Sequence, residues 1–185
     1  MQSKIVVSAG VVALVVSLGG ASVAASAAQK AKTSGPEKVF VTPNDTTSAQ
    51  HPGKIVMTGT IADYGSVVST NAKGKPTAKA TYRLLELKKG TILVNIAAFN
   101  KAITAAFPHA TFDKATCSVS LTVKAPITFV SGTKAYAGIT GSVTMTGNLA
   151  EISARTKSGA CTMKTTTPAL ATYFGLMGSG TVTLP

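Results

Sequence analysis

The feature that most constrains the fold is a two-residue alternation of apolar side chains with Thr or Ser in the second half of the chain. It runs through residues 115–123, 142–149 and 176–184. This pattern is typical of a β-strand that buries one face and exposes the other. Weaker alternation predicts further strands at 54–64, 78–88, 91–96, 127–130 and 149–155, divided by turn-forming Gly, Pro, Asn and Ser residues.

About eight short antiparallel strands with polar outer faces must bury their inner faces and protect their edges. Closure into a barrel does both, and a two-sheet sandwich is the alternative. The apolar spacing within 95–107 predicts a short amphipathic helix that ends at Pro108 and caps one end of the sheet. The sequence therefore predicts an all-β fold, a closed or nearly closed antiparallel β-barrel of about eight strands with one short helix capping an end.

The first 27 residues carry the three parts of a secretion signal. Lys4 supplies the positive charge, an apolar run follows, and Ala25-Ser26-Ala27 provides an A-x-A cleavage site. An uncleaved anchor is the alternative, but the stretch after Leu18 is only weakly apolar. We predict a cleaved signal at 1–27, a flexible lead-in with at most one strand at 28–53, and the barrel domain at 54–185.

The predicted cleavage implies a secreted protein, extracellular or associated with the cell envelope, without a stable transmembrane anchor. In such an oxidising compartment, the isolated pair Cys117 and Cys161 predicts a disulfide. The bond would close a loop of about 45 residues, for which the chain-entropy model gives roughly 4 kcal/mol. A zinc site would need more ligands than these two cysteines with the distant His51 and His109 supply.

The chain is basic, with a formal net charge of +12. This charge favours anionic partners such as a cell-envelope polymer, and solubility alone is the alternative explanation. The lysines are scattered and no basic stretch is interleaved with aromatic residues, so no specific nucleic-acid binding is predicted.

One glycine-rich segment, 131–142, contains Gly132, Tyr136, Gly138 and Gly141. Its glycines allow positive φ or close backbone approach at a corner between strands. The Tyr136 ring is expected to cover the bend while its hydroxyl holds a backbone group, and this is a structural role.

The same segment resembles the G-T-G-x-Y-x-G-x-x-G pattern of the allene oxide cyclase and dirigent-like β-barrel group. The similarity is closest to small exported bacterial members, often actinobacterial, and spans residues 53–185. Lys134 stands where the pattern's second glycine usually lies. The resemblance implies a barrel; plant members cyclise an epoxide or steer radical coupling with acidic and polar residues inside it, whereas the exported bacterial members have no agreed activity.

Motifs for common chemistries are missing: the sequence has no G-x-S-x-G elbow, no H-E-x-x-H and no P-loop. We therefore assign no catalytic residue, metal or cofactor. The candidate ligand-binding residues are Glu86, Tyr82 and Asp63, because Glu86 and Tyr82 share one strand face and an inward carboxylate has a raised pKa. The alternative is that these acids pair with surface lysines such as Lys79 and Lys88.

These observations favour an exported, non-enzymatic barrel that binds a small apolar molecule or an anionic envelope component. The alternative is a cyclase- or isomerase-like enzyme that uses an inward-facing acid. The interior distinguishes them, because an eight-stranded barrel is either filled by side chains or has room for one small ligand.

Overall fold

A computed structural model of the protein describes residues 32–42, 53–78, 80–162 and 169–185. The predicted signal at 1–27 lies outside the described residues. The strands are β1 (Thr33–Thr42), β2 (Gly53–Gly59), β3 (Asp63–Thr70), β4 (Tyr82–Leu87), β5 (Gly90–Asn95), β6 (Thr111–Asp113), β7 (Ser118–Gly132), β8 (Thr140–Ile152) and β9 (Ala171–Leu184), and the helix is α1 (Ala97–Ala106).

Eight of these strands form a closed antiparallel barrel, with neighbours in the order β5-β4-β3-β2-β1-β9-β8-β7. Pairing of β5 with β7, from Ile92 opposite Gly132 to Asn95 opposite Thr128, closes the cylinder. The short strand β6 pairs with β7 outside the barrel. The predicted all-β barrel with one short helix is confirmed.

Side-chain alternation explains why the barrel has a mainly apolar interior. In β2, Ile55 and Met57 are buried whereas Lys54 and Val56 are exposed, as a period of two residues requires. The same alternation in β7 and β8 contributes buried Val, Ile, Phe and Met side chains to one core.

The barrel begins earlier in the chain than the sequence indicated. The predicted lead-in at 28–53 allowed at most one strand, and its described part contains one, β1, which lies between β2 and β9 as a full barrel strand. Its short apolar patch fits this place because Val39 points into the core. The predicted strand at 54–64 is also divided: β2 ends at Gly59, the chain turns through Ala62 at φ +44°, and β3 follows.

Two predicted pairs of strands are each one long strand. The segments 115–123 and 127–130 lie in β7 from Ser118 onwards, and 142–149 and 149–155 lie in β8 as far as Ile152. Pro126 lies in β7 between the part paired with β6 and the part paired with β5. A proline is tolerated at such a stretch because one side of the strand has no ladder to interrupt there.

The helix α1 begins beside Asn95, whose side-chain oxygen accepts a hydrogen bond from the N–H of Ala97 at 2.8 Å. Its apolar face packs against the core through Phe99, and a 3-10 turn at Phe107–His109 follows it. Pro108 lies in that turn, so the predicted helix and its end are confirmed. We call the end of the barrel beneath α1 the helix end.

Beyond the helix end, a disulfide joins Cys117 to Cys161, with the two Cα atoms 5.3 Å apart. Cys117 lies just before β7, and Cys161 lies in the segment between β8 and β9. Arg155 reinforces this region by donating to the carbonyls of Ala115 and Gly159. The predicted disulfide is confirmed, and it suits an oxidising compartment.

Candidate functional site

A partly open cavity of about 370 Å³ lies inside the barrel beneath α1. Pockets that hold small ligands usually measure about 300–1,000 Å³, so this cavity is at the small end of the range. The walls are mainly aliphatic and aromatic, and they include Val39, Ile55, Met57, Leu85, Ile127 and Phe129. The interior is therefore not fully filled by its own side chains.

Three polar side chains line the cavity, and they lie together at the helix end. Ser69 in β3 is directly opposite Arg83 in β4, and both line the cavity. Asn100 of α1 lines it as well, and its amide nitrogen donates to the carbonyl of Ala80 at 3.0 Å. The cavity is thus polar at its helix end and apolar further in.

Arg83 is the charged group in this lining. Its guanidinium donates to the carbonyl of Tyr82 at 3.1 Å. Desolvation by burial lowers the pKa of Arg83, although a guanidinium stays protonated in proteins. The cavity therefore has a permanent positive charge in a mainly apolar wall.

At the opposite end, which we call the tyrosine end, Asp63 accepts a hydrogen bond of 2.5 Å from the hydroxyl of Tyr136. Both side chains are buried, with 6% of Asp63 and 1% of Tyr136 exposed. The same carboxylate accepts from the backbone N–H groups of Lys89 at 2.9 Å and Tyr64 at 2.8 Å. The Tyr136 hydroxyl therefore binds a carboxylate rather than the backbone group expected from the sequence.

These contacts set the pKa of both groups. Burial acts to raise the pKa of Asp63, but the hydrogen bonds from Tyr136, Lys89 and Tyr64 and the charge of Lys89 outweigh it, so the pKa is lowered. Burial, followed by the bond to Asp63, raises the pKa of Tyr136. Asp63 is therefore ionised and Tyr136 neutral near pH 7, which suits a fixed structural contact.

A second buried acid, Glu37, lies at the tyrosine end and is 1% exposed. One oxygen accepts from the N–H of Ile61 at 2.8 Å. The other, Oε1, is buried with no hydrogen-bond partner among the described residues. Burial raises the pKa of Glu37, opposed by bonds from the backbone of Ile61 and Thr60.

The glycine-rich segment builds the corner that holds Tyr136. Gly132 packs against the backbone of Tyr136 so closely that an added Cβ would lie 2.2 Å from its carbonyl oxygen. Gly138 and Gly141 have φ values of +82° and +128°, which favour glycine. Lys134 adopts φ +53°, so the turn keeps a left-handed residue where the family pattern has glycine.

The structure separates the three candidate ligand-binding residues. Asp63 is inside the barrel, but at the tyrosine end and not in the cavity lining. Tyr82 and Glu86 face outwards, and exposed Glu86 accepts from the hydroxyl of Ser66 at 3.1 Å. The inward orientation considered for Glu86 is therefore not found.

Glu86 faces outwards because the inward-facing positions of β4 are one residue out of phase with those assumed in the prediction. The β3–β4 register is continuous from Tyr82 to Leu87, so the adjacent apolar residues Leu84 and Leu85 do not mark a bulge in this pairing. Leu85 and Leu87 point inwards, and Leu84 lies on the outer face with Glu86. An apolar residue on the outer face thus misled the assignment.

Arg83 and Glu37 were missed because charged residues are normally assigned to the surface. The two-residue alternation of their strands would have placed both residues on the inward face. Arg83 is two residues before Leu85 and shares its face, and Glu37 is two residues before Val39 and shares its face.

The remaining candidate groups do not form a site in the described residues. His109 is exposed in the turn after α1, and His51 lies outside the described residues. No cluster of three or more metal-binding side chains occurs in the part of the chain that the structure describes. Among the described helices, none has the length and apolar character needed to cross a membrane.

Comparisons of this chain with family models, with curated proteins and with solved structures gave no match. The class defined here is an eight-stranded antiparallel barrel with a small internal cavity. The resemblance of 131–142 to allene oxide cyclase and dirigent-like barrels stays a prediction from that sequence segment.

Proposed function

We propose that the protein is an exported, non-enzymatic barrel that binds a small, largely apolar molecule in the cavity beneath α1. The observation that carries this proposal is the cavity of about 370 Å³ with its mainly aliphatic and aromatic walls. Burial of apolar ligand surface supplies roughly 25 cal/mol per Å², and a preformed cavity lowers the ordering cost of binding.

The cyclase-like alternative requires an acid in contact with the bound molecule. Asp63 and Glu37 lie at the tyrosine end and Glu86 is outside, so none of the three lines the cavity. The side chains around the cavity support binding more than turnover.

Filling the cavity tests this proposal. Val67→Phe places a ring into the cavity from β3, and Val130→Phe adds the same ring on the exposed face of β7 as a matched control. A neutral fluorescent naphthylamine probe should bind the parent protein and the control equally, and Val67→Phe about tenfold or more weakly. Native mass spectrometry of protein from its own culture medium then identifies the natural ligand. Failure of the parent protein to bind the probe, or equal binding by all three proteins, would contradict the proposal.

A second candidate function, binding to an anionic cell-envelope surface, is favoured by the outside of the barrel. Met177, Phe40, Val56 and Tyr64 are cross-strand neighbours in β9, β1, β2 and β3, and each is 46–57% exposed. We call them the outer apolar row. A contiguous row of exposed apolar side chains is typical of an interaction surface.

Lysines border this row. Lys38 and Lys54 are exposed on the same face, two residues from Phe40 and Val56, and the Lys88 ammonium lies 5.5 Å from the ring centre of Tyr64. Lysines beside exposed apolar side chains favour binding to an anionic lipid membrane, whose head groups attract the lysines and whose apolar interior accepts the apolar side chains.

Vesicle co-sedimentation tests this second function. The protein should bind vesicles of anionic lipid at about 50 mM salt and leave them by about 300 mM, because screening shortens the Debye length. Replacement of Lys38 and Lys54 by Gln should weaken binding about tenfold or more, and replacement of Lys124 and Lys157 is the charge-matched control. Equal loss in both double variants would indicate net charge alone.

A further inference from the structure

The cavity contains a charge for which the described chain supplies no counter-charge. Arg83 points inwards from β4, between its cross-strand neighbours Ser69 and Val94. Its guanidinium donates a hydrogen bond to a neutral carbonyl, that of Tyr82. Among the described residues no carboxylate pairs with it, and desolvation alone shifts its pKa.

Arg83 is partly buried. Even partial burial of a guanidinium in apolar surroundings costs free energy unless an opposite charge lies beside it. The described acidic residues lie away from Arg83. Glu37 and Asp63 are at the tyrosine end, and Glu86 is on the outer face. Asp113 and Glu151 belong to the sheet region formed by β6, β7 and β8, and Asp45 lies outside the described residues. An anionic group on the bound molecule would supply the missing charge.

The neighbours of Arg83 are suited to such a group. Ser69 contributes a hydroxyl, and Asn100 contributes a side-chain amide whose nitrogen is already held by the carbonyl of Ala80. From this end the walls become wholly apolar towards Met57 and Val39. The cavity is thus amphipathic along its length, with its polar groups at one end.

We propose that the ligand is an anionic amphiphile, whose head binds Arg83 at the helix end and whose apolar tail extends towards Met57. This inference rests on the proposed function, since it names the chemical class that the cavity takes. The contact is a charge-assisted hydrogen bond, which a guanidinium also forms with two oxygens of a carboxylate or a sulfate.

Calorimetric titration with four twelve-carbon probes tests the inference on the unmodified protein: dodecanoate, dodecyl sulfate, dodecanol and dodecylammonium. Because a hydrogen bond to a charged group contributes about 1.5–3 kcal/mol, dodecanoate should bind about 10- to 100-fold more tightly than dodecanol. Dodecylammonium should bind more weakly than dodecanol because it places like charges together. Dodecyl sulfate should resemble dodecanoate if anionic charge, and not the carboxylate itself, is recognised.

Variants then assign the effect to one residue. Arg83→Gln should remove the preference for dodecanoate and keep dodecanol affinity within about threefold, and Arg83→Lys should retain part of the preference. Lys101→Gln removes an exposed charge from α1 near the same end and should change neither affinity. Circular dichroism and thermal unfolding establish that each variant is folded.

The outcomes separate the two proposals. Equal binding of dodecanoate and dodecanol by the parent protein would overturn this inference and leave the apolar-binding function in place. Persistence of the preference in folded Arg83→Gln would overturn it too. If neither probe binds the parent protein, the proposed function fails and this inference fails with it.

Discussion

Asp63 at the tyrosine end and Arg83 at the helix end are inward-facing charged side chains in opposite surroundings. At the tyrosine end, Asp63 accepts from Tyr136 and from two backbone N–H groups, so its charge is matched by fixed donors. At the helix end, Arg83 has a neutral carbonyl as its hydrogen-bond acceptor and faces a cavity. A buried carboxylate with all its hydrogen-bond donors, such as Asp63, stabilises a corner of the fold. An inward-facing cation without a carboxylate beside it, such as Arg83, indicates a place where a ligand supplies the negative charge.

Reduction of the disulfide should have the largest effect on stability and tests what holds the region beyond the helix end. The bond joins residues 44 positions apart. The chain-entropy model assigns about 4 kcal/mol to a loop of this length. Denaturant unfolding with and without reductant measures the difference, and the Cys117→Ser/Cys161→Ser variant is the control for direct effects of the reductant. An unchanged free energy of unfolding would show that this region is held by packing alone.

Tyr136→Phe tests whether the tyrosine end depends on its hydrogen bond. The substitution keeps the ring but leaves the buried Asp63 carboxylate without one donor, which should cost about 1–3 kcal/mol. Tyr64→Phe is the matched control, because Tyr64 is 57% exposed and should change the free energy of unfolding by less than about 0.5 kcal/mol. Similar effects of both substitutions would contradict a special role for the buried pair.

The two buried acids should give opposite pH dependences. Asp63 has a lowered pKa, so its contribution is present above the ordinary value of 3.8 and is lost as the pH falls through the folded-state pKa. Glu37 has a raised pKa, so its ionisation destabilises the fold as the pH rises above 4.5. Glu37→Gln should therefore stabilise the protein more at pH 7 than at pH 4, by about 1 kcal/mol. Thermal unfolding at both pH values checks the sign, and a larger gain at pH 4 would refute it.

Glu86→Gln should have the smallest effect. Glu86 is exposed on β4 and accepts one hydrogen bond from Ser66, so the change should cost less than about 1 kcal/mol. Binding of dodecanoate should be unaffected because Glu86 is outside the barrel. A loss of binding in this variant would reverse the assignment of inner and outer faces of β4.

Alternation predicted the barrel because it reports which face of a strand is buried, and closure then follows from the need to protect edges. Alternation did not predict correctly where individual strands begin and end. Between β2 and β3 the chain turns through residues 60–62, where the preceding Gly59 is the sole turn-forming residue. The segments 115–123 and 127–130 were expected as separate strands, but β7 continues from one into the other.

The site was harder to predict than the fold, because its residues contradict average burial preferences. Arg83 and Glu37 are charged yet occupy inward positions, and Leu84 is apolar yet occupies an outward one. The partners of Tyr136 depend on strands far apart in sequence, since Asp63 is 73 residues away. Only the assembled barrel brings such groups together.

The pairing of β1 with β9 has a consequence for the order of folding. Thr33 lies opposite Leu184, so the first and last strands of the barrel are direct neighbours. While the chain is synthesised from its N-terminus, β1 can pair with β2 but keeps one open edge until residues from 171 onwards are available. Contacts between such distant segments slow folding, because a long loop must be closed before they form. We therefore expect a barrel that closes only after its whole chain has emerged, at the slow, millisecond-to-second end of the range for single domains.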